Sequence, residues 1–137
     1  MYTKRFFHVF LSCAGTDLFV ARMCAKLIKE RSQGAAATFL YDKSIEGGQA
    51  IPDEVRRSIQ ECDEFLLLLT PDSVNRQWVM IELGAALAFE KRIVAILHHI
   101  GPKKIPEIMQ SKKAFNLNDF DSLYLKELLH RVRDHRR

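Results

Sequence analysis

The feature that most constrains this fold is FLLLLT, Phe65 to Thr70, a continuous apolar run with no polar alternation. A strand with one solvated face alternates apolar and polar residues, so an unbroken run implies cover on both faces, as in a central parallel strand. Parallel neighbours need crossover connections, and the rest of the chain supplies them. Phe6 to Ser12 is a second short apolar run, and after Asp17 the residues Phe19, Val20, Met23, Cys24, Leu27 and Ile28 recur as one face of a helix that Gly34 terminates. Ala37 to Tyr41 reads as a strand, and Asp53 to Cys62 as a helix opened by Pro52 and two acids. One helix is expected from Pro71, Asp72 and Ser73 to about Phe89, then a strand over Ile93 to His98 and a short edge strand over Ala114 to Leu117. Asn118 or Asp119 caps a final helix through Leu123, Leu125, Leu128, Leu129 and Val132. Five strands interleaved with helices predict an α/β class: a flavodoxin-like, doubly wound, mainly parallel five-stranded sheet of order 2-1-3-4-5 with helices on both faces. At 137 residues the chain is expected to be a single domain, 1–137.

Composition removes several function classes. Hydrophobic residues at 47% and charged residues at 28% are globular values, far from those of disordered chains. The net charge of +4 is mostly a property of RVRDHRR, residues 131–137, whose four Arg and one Asp leave 17 basic against 16 acidic residues elsewhere. A nearly neutral body argues against nucleic-acid binding, and the tail is expected to place cations at the negative end of the last helix. Uncharged runs such as Phe65 to Pro71 and Ile93 to Pro102 fall short of the roughly 20 apolar residues of a membrane span. The opening KRFFHVFLSCAG imitates a signal peptide, but His8 interrupts its apolar stretch and a first strand is the better reading. Cys13, Cys24 and Cys62 are odd in number and widely spaced, which points to a reducing, cytoplasmic setting.

Doubly wound sheets bind ligands beyond the carboxyl ends of their strands, where the strand order reverses. Ser12 to Asp17, Asp42 to Ile51 and Thr70 to Arg76 should meet there, with His98 and His99 nearby. Neither phosphate-binding glycine signature follows the first strand, and the third strand ends in Thr70 and Pro71 where a phospho-receiver needs an aspartate. In WVMIELGAALAF, Trp78 to Phe89, Glu82 is the one charge among twelve residues. A buried carboxylate is costly unless it is paired, with Arg22 or Arg76 for example, or faces a cleft or a partner. Trp78 lies one turn earlier on the same face, either as a core tryptophan or as a stacking surface for a nucleobase or pyridinium ring.

FLSCAGTD (Phe10 to Asp17), FLYDKSIEGGQAIPDEVRRSIQECDEFLLLLTPDSV (Phe39 to Val74) and WVMIEL (Trp78 to Leu83) resemble, in order and spacing, the strand A, BB-loop and helix C segments of Toll/interleukin-1 receptor (TIR) domains. The resemblance runs from about residue 6 to 100, and the ELGAALA continuation is more similar to prokaryotic members. It implies cleavage of NAD+ at the nicotinamide–ribose bond, with Glu82 as the catalytic glutamate. The implied substrate-binding residues are Trp78, Ser12, Cys13, Ala14, Gly15, Asp42, Lys43, Ile45, Gly47, Gly48 and Arg76. Cys13 and Ala14 depart from the pattern, since related sequences often place an aromatic or arginine there. NAD+ is then a substrate, and neither a cofactor nor a metal is expected. One carboxylate suffices, because a pyridinium leaving group departs neutral without the second acid of ordinary glycosidases. Gly15 to Asp17, at a helix start, would offer backbone N–H groups to the pyrophosphate. The resemblance further implies self-association through the BB loop (Asp42 to Pro52), a downstream effector sensing the product, and a cytoplasmic role in prokaryotic antiphage immunity. Two other readings are a non-catalytic TIR–TIR scaffold module and, more weakly, a nucleoside deoxyribosyltransferase.

Overall fold

A computed structural model describes residues 6–40, 52–110 and 112–135. Five strands, β1 (Phe7–Ser12), β2 (Ala36–Leu40), β3 (Glu64–Leu69), β4 (Ile93–Leu97) and β5 (Ala114–Asn116), form one sheet of order β2-β1-β3-β4-β5. Every neighbouring pair is parallel. All six residues of β3 are buried, as its unalternating sequence requires.

Helices α1 (Leu18–Arg31) and α4 (Leu125–His135) cover one face, and α2 (Asp53–Glu61) and α3 (Gln77–Ala88) cover the other. The two-residue period of the strands divides the core accordingly. Val9, Leu11, Leu66 and Leu68 point into the α1/α4 core, whereas Phe10, Phe65, Leu67 and Leu69 point into the α2/α3 core. Register places Phe10 between Phe39 and Phe65, and the three rings stack at centroid separations of 5.3 and 5.4 Å. At the end of α1, Gly34 takes the left-handed conformation (φ +81°) and its N–H bonds the Lys29 carbonyl at 2.9 Å, the closure anticipated for that glycine.

Two segments differ from the sequence reading. The expected helix from Pro71 is broken: Ser73–Asn75 is a single 3-10 turn, Arg76 is extended (φ −90°, ψ 122°), and α3 begins at Gln77. The cause is local competition for hydrogen bonds. Thr70 and Ser73 bond to each other's backbone N–H groups through their hydroxyls, and Ser73 also donates to the Leu68 carbonyl. The last helix likewise starts with a π-helical turn, Phe120–Tyr124, before α4 proper.

Arg131 corrects the reading of the basic tail. Instead of merely serving the helix terminus, its guanidinium is bidentate on the fully buried Glu64, with Nε to Oε1 at 2.6 Å and Nη2 to Oε2 at 3.0 Å. Tyr124 donates its hydroxyl to the same carboxylate at 2.6 Å, and burial pushes its phenol well above the usual value. This network pins α4 to the start of β3, at the opposite end of the strand from Thr70.

Candidate active site

Strand order reverses between β1 and β3. The chain leaves β1 at Ser12 toward α1 on one face, and leaves β3 at Leu69 toward α3 on the other, so a crevice opens between the two exits. Helix α3 turns Trp78, Val79, Glu82, Leu83 and Ala86 into the protein. Ser12 is an even-numbered residue of β1 and faces α3, where its Oγ donates to Glu82 Oε1 at 2.5 Å.

Glu82 is only 1% exposed. Its Oε2 has no hydrogen-bond partner, and it joins no ion pair among the described residues. The alternative in which Arg22 or Arg76 neutralises it is therefore not what the described residues show. Burial pushes its carboxyl up to about 8, with the Ser12 hydrogen bond pulling the other way. A carboxyl so held is mostly protonated near neutrality. Ser12→Ala is expected to raise its pKa further, because it removes the hydrogen bond that favours the ionised form. The titration midpoint of the Glu82 carboxyl by carbon-13 NMR checks this, and an unmoved midpoint would contradict the assignment of Ser12.

Ser12 and Glu82 are in contact, whereas Thr70, beyond the end of β3, bonds to Asp17 and Ser73. Trp78, 7% exposed, lies within the α2/α3 core. Cys13, by strand alternation, turns its thiol into the α1/α4 core, so only its backbone is offered to the crevice. Ala14 is buried, and Gly15 is exposed in the 3-10 turn Gly15–Asp17. Arg76 is exposed at the extended residue before α3. Asp42, Lys43, Ile45, Gly47 and Gly48 lie outside the described residues. His98 and His99 follow β4 with rings 3.9 Å apart, and His99 lines a cleft of about 610 Å³ with Val74, Asn75 and Met80.

Sequence reasoning missed two contacts across the crevice. Thr70 Oγ1 donates to Asp17 Oδ2 at 2.5 Å, and Thr16 Oγ1 donates to Asp72 Oδ2 at 2.7 Å. A hydroxyl and an acid on each side of the reversal were visible, but their pairing over 50 residues apart was not. These carboxylates also bear on the expected pyrophosphate cradle at Gly15 to Asp17, where an incoming phosphate would meet the negative charge of Asp17.

Fold and site together define a doubly wound α/β domain with one buried glutamate on the helix that flanks the strand-order reversal. The TIR-domain family model matches residues 9–129, and the chain belongs to that family. It is 23% identical over 131 residues, 92% of its length, to a protein of Brachypodium distachyon named "probable 2' cyclic ADP-D-ribose synthase". The chain spans 58% of the length of that curated relative. Among solved structures it is similar to the TIR domain of a Toll-related receptor from Hydra magnipapillata, with TM-score 0.71 at 16% identity, covering 91% of this chain and 97% of that one. It is also similar to a metazoan TIR-STING receptor from C. gigas, with TM-score 0.68 at 18% identity, covering 96% of this chain and 41% of that one.

Proposed function

We propose that this domain cleaves NAD+ at the nicotinamide–ribose bond, with Glu82 as the catalytic carboxylate. Nicotinamide would be released with ADP-ribose or a cyclic ADP-ribose. The observation that carries the reading is the buried Glu82 carboxyl, free of any described cation and hydrogen-bonded to Ser12 at the strand-order reversal. The name of the Brachypodium relative supports the same chemistry.

The step balances without an acid. The C1′–N bond breaks, its electron pair neutralises the pyridinium nitrogen, and the ribose becomes oxocarbenium-like until water or a nucleophile of the ADP-ribose captures it. What this transition state needs is negative charge beside the ribose, worth more in a dry site than in water. Glu82 supplies it when ionised, and Ser12 fixes one of its oxygens. Because burial holds the free carboxyl at about 8, kcat/KM for NAD+ should rise about tenfold per pH unit below that value and level off above it. Initial rates between pH 6 and 9 check this, and a profile that is flat or falls with pH would refute a required carboxylate.

Turnover is also expected to depend on self-association through the BB loop, Asp42 to Pro52. A connection of about eleven residues exceeds the usual 2–6, and such loops are often functional. Specific activity should rise with protein concentration, and Gly48→Pro should abolish the rise. A flat profile in the wild type would leave a monomeric site. As a prokaryotic-like TIR domain, the protein would act in the cytoplasm in antiphage immunity, its product read by a separate effector.

A further inference from the structure

We infer that Asp17 and Thr70 are positioning residues for Glu82, the hydrogen bond between them fixing the β1 exit against the β3 exit and thereby holding Ser12 on the Glu82 carboxyl. The inference rests on the proposed NAD+ cleavage.

Ser12 and Glu82 belong to parts of the chain that the topology sends in opposite directions, one leading to α1 and the other lying on α3. Their 2.5 Å contact spans the point of divergence, and a displacement of about 1 Å in either exit would end it. Two reciprocal bonds cross that gap, each side giving one hydroxyl and one carboxylate. They are unequal. Thr16 and Asp72 are exposed, where such a bond contributes little, whereas Thr70 is buried and Asp17 half-buried.

Thr70 is itself immobilised. Its N–H donates to Ser73 Oγ at 2.8 Å, its Oγ1 accepts from the Ser73 N–H at 3.1 Å, and the fully buried Ser73 donates to the Leu68 carbonyl at 2.8 Å. Asp17 is thus clamped to a fixed point at the exit of β3. Asp17 ends the 3-10 turn Gly15–Asp17 that runs into α1, its own N–H bonded to the Ala14 carbonyl at 2.9 Å. Its side chain makes no capping bond to α1 and accepts from Thr70 across the two strand exits.

The test compares Asp17→Ala, Asp17→Asn and Thr70→Val in steady-state NAD+ cleavage. Asp17→Ala should lower kcat on the order of 10- to 100-fold, the effect of a small misplacement of a catalytic group, with KM within about threefold of wild type. Asp17→Asn, whose Oδ1 still accepts from Thr70, should recover to within about threefold in kcat. Wild-type kcat in Asp17→Ala, a loss confined to KM, or an Asp17→Asn as impaired as Asp17→Ala would overturn the inference. Should Asp17→Ala not fold, Thr70→Val, which removes the donor to Asp17 together with the acceptor of the Ser73 N–H, carries the same expectation. Without any substrate, the carbon-13 titration midpoint of the Glu82 carboxyl in Asp17→Ala should move upward, as expected for Ser12→Ala, and an unmoved midpoint would overturn the inference. If the wild type releases no nicotinamide, the NAD+ reading fails, while this titration still decides the positioning role.

Discussion

Glu82→Gln should abolish NAD+ turnover and make the protein harder to unfold. Glutamine keeps the shape of the side chain and still accepts from Ser12, so the loss isolates the charge. Removing an electrostatic group that acts on the transition state costs about 10²–10³ in rate or more. The stability change follows from linkage. In the unfolded chain the carboxyl ionises at its ordinary value near 4.5, and in the folded protein near 8. Between those values the folded state holds a proton the unfolded state has lost, so stability falls as pH rises and the penalty is complete above about 8. Glutamine has no proton to lose. Its advantage should be negligible below about pH 4.5 and reach about 2 kcal/mol or more at pH 9, a gain of ~5 °C or more in Tm. Thermal melts at pH 5 and pH 9 separate this from any pH-independent packing effect. A variant that melts below wild type at pH 9, or retains a tenth of its turnover, would contradict the role assigned to Glu82.

Arg131→Ala should be the most damaging single change outside the site. Glu64 is fully buried, and losing the guanidinium leaves its carboxylate with only the Tyr124 hydroxyl. Breaking a buried pair from one side costs about 3–5 kcal/mol, here ~10 °C or more in Tm. The loss comes from the orphaned charge, so the double variant Glu64→Gln/Arg131→Met should recover much of it. Glu64 opens β3 and the crevice lies beyond its other end, so turnover measured well below the melting transition should stay near wild type. Denaturant unfolding of the three proteins decides it. A loss under 1 kcal/mol would mean that the network is surface-like, and an unrecovered double variant would place the cost in packing.

The parts of the fold written in local periodicity were legible in the sequence. FLLLLT marked the central strand, the spacing from Phe19 to Ile28 marked α1, and alternating element types marked a parallel sheet, for which the observed order 2-1-3-4-5 was the economical choice. Boundaries set by side-chain competition were not legible. Nothing in the apolar pattern reveals that the Thr70 and Ser73 hydroxyls satisfy the backbone and delay α3 to Gln77. Contacts distant in the chain were illegible for a different reason. Glu64 and Arg131 are 67 residues apart, and each read alone looks like a surface charge. Glu82 could be singled out because it was the lone charge in an apolar helix, a signal of desolvation that needs no partner to be seen. Ser12 was read as a substrate-binding residue and not as the partner of Glu82, and that contact, like the Asp17–Thr70 bond, needed the elements to be placed in space.

Whether Glu82 cleaves NAD+ is decided by incubating purified wild-type protein and Glu82→Gln with NAD+ at high protein concentration and pH 8, then identifying products by mass spectrometry. The wild type should yield nicotinamide together with ADP-ribose or a cyclic ADP-ribose, and a folded Glu82→Gln should leave NAD+ unchanged. Intact NAD+ in both samples, or equal nicotinamide release from both, would contradict NAD+ cleavage by Glu82.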